Sequence, residues 1–197
     1  MKNYSPKTTP PAKTTRYKNP TQPIGVYYYG KGKGKTTAAL GTVLRAAGWG
    51  RKVLVLQAVK GDWPSGEQAA INRDMPDLVT IQTLGRGFVG ILGDKLARIE
   101  HEQAAQSTLV TIRSAIHADS WDLIVLDEAT DIIELNLTTI DMLLEAINDF
   151  RSYHADLIIT GHRYFPELAA LADIVTEMKS VKHHFDNGVL AKKGLDF

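Results

Sequence analysis

A short loop between an apolar strand and a helix constrains this chain more than any other feature. The stretch Tyr27–Leu40 reads YYYGKGKGKTTAAL, in which three glycines alternate with lysines before two threonines. A strand, a glycine-rich turn and a helix opening with Gly-Lys-Thr form the context in which backbone N–H groups and the helix dipole bind phosphate. The alternative is a lysine–glycine run on the surface, but the register of strand, loop and helix favours a phosphate-binding loop.

The loop is one residue shorter than the common spacing G-x-x-x-x-G-K-[ST]. That spacing would need glycine where Tyr29 stands, and the first glycine comes one residue later. A shortened loop is expected to hold a triphosphate in a different register, so transfer or hydrolysis of the terminal phosphate does not follow from the motif alone. The candidate phosphate-binding residues are those of the whole run: Gly30, Lys31, Gly32, Lys33, Gly34, Lys35, Thr36 and Thr37.

Two carboxylates at the end of a buried strand are the second candidate feature. The apolar run Leu123–Leu126 leads directly into Asp127 and Glu128. Adjacent residues of a strand point to opposite faces, so we expect one carboxylate to face a metal and the other to act through water or to orient the loop. Together with the Thr36 hydroxyl they form a predicted magnesium site, while the Lys35 ammonium lies on the phosphates. These features fit both an ATPase and an alkyl transfer.

Apolar runs alternate with helical segments along the rest of the chain, which predicts an α/β fold of the phosphate-loop NTPase type. Several runs are nearly continuous rather than alternating, as in strands buried on both faces, so we expect a mainly parallel sheet of about six strands with helices on both faces. The predicted strands are Ile24–Tyr29, Val53–Val59, Val79–Leu84, Leu123–Leu126, Leu157–Thr160 and a shorter Ile174–Met178. The predicted helices are Lys35–Ala47, Asp94–Ala118, Thr138–Phe150 and Pro166–Ala172.

The charge distribution separates a tail from a single domain. No Asp or Glu precedes Asp62, and residues 1–23 are rich in Lys, Thr and Pro. We therefore predict a flexible basic tail over residues 1–23 and one nucleotide-binding domain over residues 24–197. The tail lacks clustered arginines and interleaved aromatics, so a solvated tail is favoured over a nucleic-acid-binding arm. No apolar run approaches the ~20 residues that span a bilayer and no signal peptide is evident, so we expect a cytoplasmic protein without membrane contact.

Five segments in order resemble one family, the phosphate-loop ATP:corrinoid adenosyltransferases, from about Val26 to Phe197. The short loop GKGKGKTTAA is similar to that family's loop, including the missing residue. The other four segments are VKGDWPSGE at Val59–Glu67, LGRGF at Leu84–Phe88, VLDE at Val125–Glu128 and the ending ADIVTEMKSVKHHFDNGVLAKKGLDF.

This resemblance implies a reaction in which cobalt(I) of a corrinoid attacks C5′ of ATP and triphosphate leaves. Carried over by position, Lys35, Thr36 and Glu128 are the catalytic residues, and Lys33 helps to neutralise the leaving group. Thr36 and Glu128 bind Mg²⁺ with Asp127 in support, and Phe88 packs against the lower face of the corrin. The resemblance also implies a homodimer, whose N-terminal tail closes over a site, and a reductase that supplies cobalt(I).

Three positions depart from the family's pattern, and one of them is Lys31, where the family often has asparagine. Gly90 stands where the family usually has tryptophan, which puts activation of a corrinoid with an intact lower ligand in question. His162 stands at the arginine of the family's T-G-R, with Arg163 next to it as the alternative phosphate contact. The competing hypotheses are a relative without corrinoid chemistry that works as an ATPase or nucleotide-dependent regulator, and a nucleic-acid-dependent ATPase.

Overall fold

The computed structural model describes residues 22–61, 65–87 and 96–196. Six strands form one sheet in the order β3-β2-β4-β5-β1-β6, and every neighbouring pair is parallel. The strands are β1 Gly25–Tyr29, β2 Val53–Gln57, β3 Val79–Thr83, β4 Leu123–Asp127, β5 Asp156–Gly161 and β6 Ile174–Glu177. The predicted parallel α/β sheet is confirmed.

Helices connect the strands, as parallel neighbours require. They are α1 Lys35–Gly48, α2 Gly66–Asp74, α3 Arg98–His117, α4 Asp131–Glu134, α5 Ile140–Ile147 and α6 Pro166–Leu171, with 3₁₀ turns at Phe150–Ser152 and His184–Asn187. Among the described residues, no helix combines the length and the apolarity that crossing a membrane requires.

Two apolar layers cover the sheet, because successive side chains of each strand point to opposite faces. In β4, Leu123 and Val125 pack with Val43 of α1 and Ile71 of α2. The alternate residues of that strand, Ile124 and Leu126, belong to the opposite layer. That layer also contains side chains of α3, α5 and α6: Ile112, Ile116, Leu143, Ile147 and Leu168. The sheet is therefore covered by helices on both faces, as predicted.

The strand order brings the two candidate features together. Because β1 and β4 both lie beside β5, the loop after β1 and the carboxylates at the end of β4 meet at the carboxyl edge of the sheet. Ligands of open parallel sheets bind at this edge.

Candidate functional site

The glycine loop joins β1 to α1 and is held by two neighbouring segments. The Gly30 N–H donates to the His162 carbonyl at 3.1 Å, and the Gly32 N–H donates to the Met178 carbonyl at 2.8 Å. Gly30 and Gly34 have φ of 118° and 117°, a left-handed conformation that favours glycine. The first N–H groups of α1 have no intrahelical acceptor, so the start of this helix can present them to an anion.

Lys35 lies beneath the loop rather than extending into solvent. Its ammonium donates to the carbonyls of Gly30 at 2.6 Å and Gly32 at 3.0 Å, and the residue is 8% exposed. Burial lowers the pKa of Lys35, while the carboxylates of Asp131 and Glu128 oppose that shift. The two carbonyls hold the end of the Lys35 side chain at the loop, where its ammonium can stabilise a phosphate anion.

Asp127, the last residue of β4, forms hydrogen bonds with the first turn of α1 and with the ends of β2 and β5. One carboxylate oxygen accepts hydrogen bonds from the hydroxyls of Thr36 at 2.9 Å and Thr160 at 2.8 Å. Its other oxygen accepts from the Gln57 amide at 3.2 Å. The carboxylate is 2% exposed and fully engaged, so it holds the Thr36 hydroxyl in a defined position.

Glu128 follows in an unusual backbone conformation. Its φ is 57°, and its N–H donates to the Thr160 hydroxyl at 2.8 Å. Burial raises the pKa of Glu128 to about 7, and the charges of Asp127 and Asp131 add to the shift. Glu128 is a half-buried carboxyl whose ionisation is disfavoured beside two other acids, so a bound cation would stabilise its charged form.

His162 is paired with Asp131 at the edge of the loop. One Asp131 oxygen accepts from the His162 backbone N–H at 2.9 Å, and the other lies 2.7 Å from the imidazole Nδ1. This hydrogen bond raises the pKa of His162. His162 therefore lies next to the loop, and its carbonyl accepts the Gly30 N–H.

The remaining predicted site residues lie in different places. Lys31 and Thr37 are exposed on the loop and the first turn of α1. Lys33 forms an ion pair with Asp196 at 2.8 Å. The Arg163 guanidinium stacks on the Phe165 ring, 5.2 Å from its centroid, and its role as a phosphate contact stays a prediction. Phe88 and Gly90 lie outside the described residues, as do residues 1–21 of the tail predicted over residues 1–23.

Sequence reasoning missed several residues that the fold brings to the site. Gln57 and Thr160 contact Asp127, Asp131 binds His162, and Asp196 binds Lys33. A usable signal existed for the first two, because polar residues at the ends of buried parallel strands converge on one edge of the sheet. The pairings of Asp131 and Asp196 depend on how loops fold back, which local patterns do not encode.

A cavity of about 660 Å³ opens beside the loops that follow β2 and β3. Gly61, Leu84 and Arg86 line it from these loops, and Gln103 and Ser107 line it from α3. Its size falls in the range typical of small-molecule sites, roughly 300–1,000 Å³.

Comparison with known proteins gives a consistent result. The family model described as ATP:corrinoid adenosyltransferase BtuR/CobO/CobP matches residues 22–197. The corrinoid adenosyltransferase of Escherichia coli (strain K12) is 36% identical over 174 residues, which cover 88% of this chain and 85% of that protein. Corrinoid adenosyltransferase CobA of Salmonella typhimurium (strain LT2) is 37% identical over 175 residues, again 88% and 85% of the two chains.

One solved structure is similar to this chain in its fold but not closely in its sequence. The KaiC-like protein PH0186 of Pyrococcus horikoshii OT3 superposes with a TM-score of 0.51 at 16% identity, covering 88% of this chain and 75% of that one. The family match spans the sheet, the glycine loop and the carboxylates at the end of β4. This chain belongs to the ATP:corrinoid adenosyltransferase family.

Proposed function

We propose that this protein transfers the 5′-deoxyadenosyl group of ATP to cobalt(I) of a corrinoid and releases triphosphate. The observation that carries the proposal is the family match over residues 22–197, which includes the shortened loop and the Lys35, Thr36 and Asp127 arrangement. In this reaction the cobalt–carbon bond forms as the bond from C5′ to the triphosphate oxygen breaks, and the electron pair leaves with the triphosphate.

The loop residues act by position and charge, because the reaction needs no proton transfer at the leaving group. In the proposal, Gly30–Thr37 cradle the triphosphate, and Lys35 and Lys33 neutralise the negative charge that develops on it. Preorganised positive groups of this kind stabilise a transition state without reorganising as the reaction proceeds. The buried Lys35 ammonium, already oriented by two loop carbonyls, supports this assignment.

The oxygen donors at the loop suit a magnesium ion. Thr36 and Glu128 would be the ligands, and Asp127, whose oxygens already accept hydrogen bonds, would orient Thr36. Among the described residues, the buried Gln57 Oε1 has no hydrogen-bond partner, so it could accept from a metal-bound water. Bound there, Mg²⁺ would supply charge neutralisation to the phosphates.

The cavity beside β2 and β3 is the proposed corrinoid site. A corrin is a broad apolar ring with polar arms at its rim, and the lining combines Leu84 with Arg86, Gln103 and Ser107. Phe88 follows Gly87 in the sequence, and we propose that its ring packs against the lower face of the corrin. Which corrinoid is accepted would depend on how Phe88 and Gly90 meet the lower ligand.

We also propose that the protein is a homodimer. Large apolar side chains are exposed in and after β6, an arrangement typical of surfaces that are covered in an assembly. They are Ile174, Val175, Val181, Phe185, Val189, Leu190 and Leu195. Sedimentation velocity on the full chain tests this, and a monomer at micromolar concentration would contradict it.

Cobalt(I) has to come from an electron donor, and we propose a separate reductase, because the chain has no cysteine that could form a redox-active thiol pair. We propose a cytoplasmic location, where ATP and reductant are both available.

The test combines protein, ATP, Mg²⁺ and a chemically reduced corrinoid while the visible spectrum is followed. We expect a light-sensitive adenosyl-corrinoid and one triphosphate per product. Lys35→Ala should abolish most of the rate, whereas Lys52→Ala, an exposed lysine before β2, should not. Orthophosphate released without corrinoid and without a spectral change would instead indicate an ATPase.

A further inference from the structure

The chain that follows β6 forms one wall of the phosphate loop. The Met178 N–H donates to the Tyr29 carbonyl at 2.7 Å, and the Met178 carbonyl accepts from Gly32 at 2.8 Å. The contact is close, because a Cβ on Gly30 would lie 2.3 Å from the Met178 oxygen. The C-terminal segment therefore reaches the loop that would hold the triphosphate.

A carboxylate at the far end of this segment contacts a loop lysine. Asp196 Oδ1 lies 2.8 Å from the Lys33 ammonium, and the exposed fractions of the two side chains are 11% and 41%. The acid is mostly covered, and the lysine remains partly open to solvent. Lys33 is therefore anchored on one side and accessible on the other.

Asp196 is itself held in place by its own segment. Its Oδ2 accepts the Lys192 backbone N–H at 2.7 Å and lies 3.5 Å from the His184 Nε2. The backbone hydrogen bond from Lys192, followed by that from Lys33, lowers the pKa of Asp196. The carboxylate is therefore held by its own segment as well as by Lys33.

We infer that Asp196 is a positioning residue that holds the Lys33 ammonium beside the loop, ready to contact the triphosphate of the bound nucleotide. An ammonium has three N–H donors, so one can stay on Asp196 while two face phosphate oxygens. Without this anchor, the flexible lysine side chain must lose more conformational entropy when the nucleotide binds. The inference rests on the proposed function, because it assumes that the loop binds ATP.

The test is a double-mutant cycle on ATP affinity, measured by calorimetry with Mg²⁺ and without corrinoid. We expect Lys33→Ala and Asp196→Asn each to weaken ATP binding about three- to tenfold, and the double variant to bind no more weakly than Lys33→Ala. Such non-additivity is expected when one residue acts through the other. Additive losses would overturn the inference, because a merely loosened C-terminal turn would act independently of Lys33.

Tighter ATP binding by Asp196→Asn would also overturn it, since the carboxylate would then compete with phosphate for the lysine. Asp196→Glu, which keeps the charge, should recover part of the affinity and provides a second variant. Asp77→Asn, an exposed acid at the amino edge of the sheet, is the matched control. If Lys35→Ala weakens binding but Asp196→Asn does not, this inference alone fails; if neither lysine variant weakens binding, the proposed nucleotide site fails as well.

Discussion

Thr36 donates its hydroxyl hydrogen bond to Asp127 across 2.9 Å, which joins the first turn of α1 to the last residue of β4. Their positions are 91 residues apart in the chain, and the parallel sheet brings them together. The side chain that would bind magnesium is therefore oriented before any ligand arrives.

Replacing Thr36 by valine keeps the shape of the side chain but removes the hydroxyl. We expect kcat/KM for adenosyl transfer to fall by about 10–100-fold, the usual cost of disturbing a metal ligand and the groups that orient it. A magnesium titration should show that more metal is needed for half-maximal rate. Thr36→Ser should recover most of the activity.

Thr42→Val is the matched control, because the Thr42 hydroxyl donates to the Ala38 carbonyl one turn earlier in the same helix. Equal losses in the two valine variants would contradict a specific role for the hydroxyl of Thr36.

Gly32 lies where the loop is closest to the C-terminal segment. A Cβ there would lie 2.7 Å from the Met178 oxygen and from the Lys179 carbonyl carbon, both backbone atoms. We expect Gly32→Ala to displace the loop and weaken ATP binding at least tenfold in a calorimetric titration.

Gly41→Ala provides the contrast within α1, because, within the described part of the chain, no atom beyond the neighbouring backbone of α1 lies within 4 Å of the added Cβ. Alanine replaces glycine inside a helix there, so the free energy of unfolding should rise by about 0.5–1 kcal/mol with ATP binding unchanged. Normal ATP affinity in Gly32→Ala would show that the contact with Met178 does not shape the loop.

The sequence predicted the strands well because β2, β4 and β5 are buried on both faces and read as continuous apolar runs. It also placed the start of α1 at Lys35, where the structure has it. The order of the strands could not be predicted from the sequence, because the pairing between β1 and β5 joins residues more than a hundred positions apart.

Helix boundaries were predicted less well, and two helices, α2 and α4, were missed. The segment expected over Thr138–Phe150 is helical only over Ile140–Ile147, where the Thr139 hydroxyl caps the first turn. Helix α2 carried a signal that was overlooked: Ser65 precedes it and Gln68 follows three residues later, the spacing of a capping box. The Ser65 hydroxyl does accept the Gln68 N–H at 3.3 Å.

The candidate site was predictable to the extent that each residue lies beside its motif. Lys35, Thr36 and Asp127 follow directly from the loop and the strand end, and the structure brings them together. The Asp131 partner of His162 did not follow, because it lies on a four-residue helix that no periodic pattern marks.

The His162–Asp131 pair should make stability depend on pH. The hydrogen bond from Asp131 raises the pKa of His162 above its ordinary value of 6.5. The stabilisation is therefore fully present below that value and is lost as pH rises through the higher pKa of the folded protein.

We expect wild type to exceed His162→Gln in the free energy of unfolding by up to about 1 kcal/mol at pH 5.5, since the half-exposed pair is screened by solvent. The difference should shrink by pH 9 in urea titrations. In an Asp131→Asn background the pH dependence of this difference should disappear. A difference that stays constant between the two pH values would argue against the ion pair.

Glu128 should destabilise the folded protein at high pH, because its negative charge is unfavourable in the folded state. Burial raises its pKa from 4.5 to about 7, so folding costs extra free energy as pH rises through that interval and stays costly above it. Glu128→Gln keeps the shape but removes the charge. Without nucleotide and with a chelator present, the variant should be more stable than wild type at pH 8.5, on the order of 2–3 kcal/mol.

At pH 4.5 the two proteins should differ little, since the carboxyl is then largely protonated in the folded state. Glu167→Gln, which removes an exposed carboxyl in the first turn of α6, is the control for losing one negative charge. Glu128→Gln should lose adenosyl transfer while gaining stability, because a site built to hold a cation is strained without one. A Glu128→Gln protein less stable than wild type at pH 8.5 would show that the carboxylate is not held at such a cost.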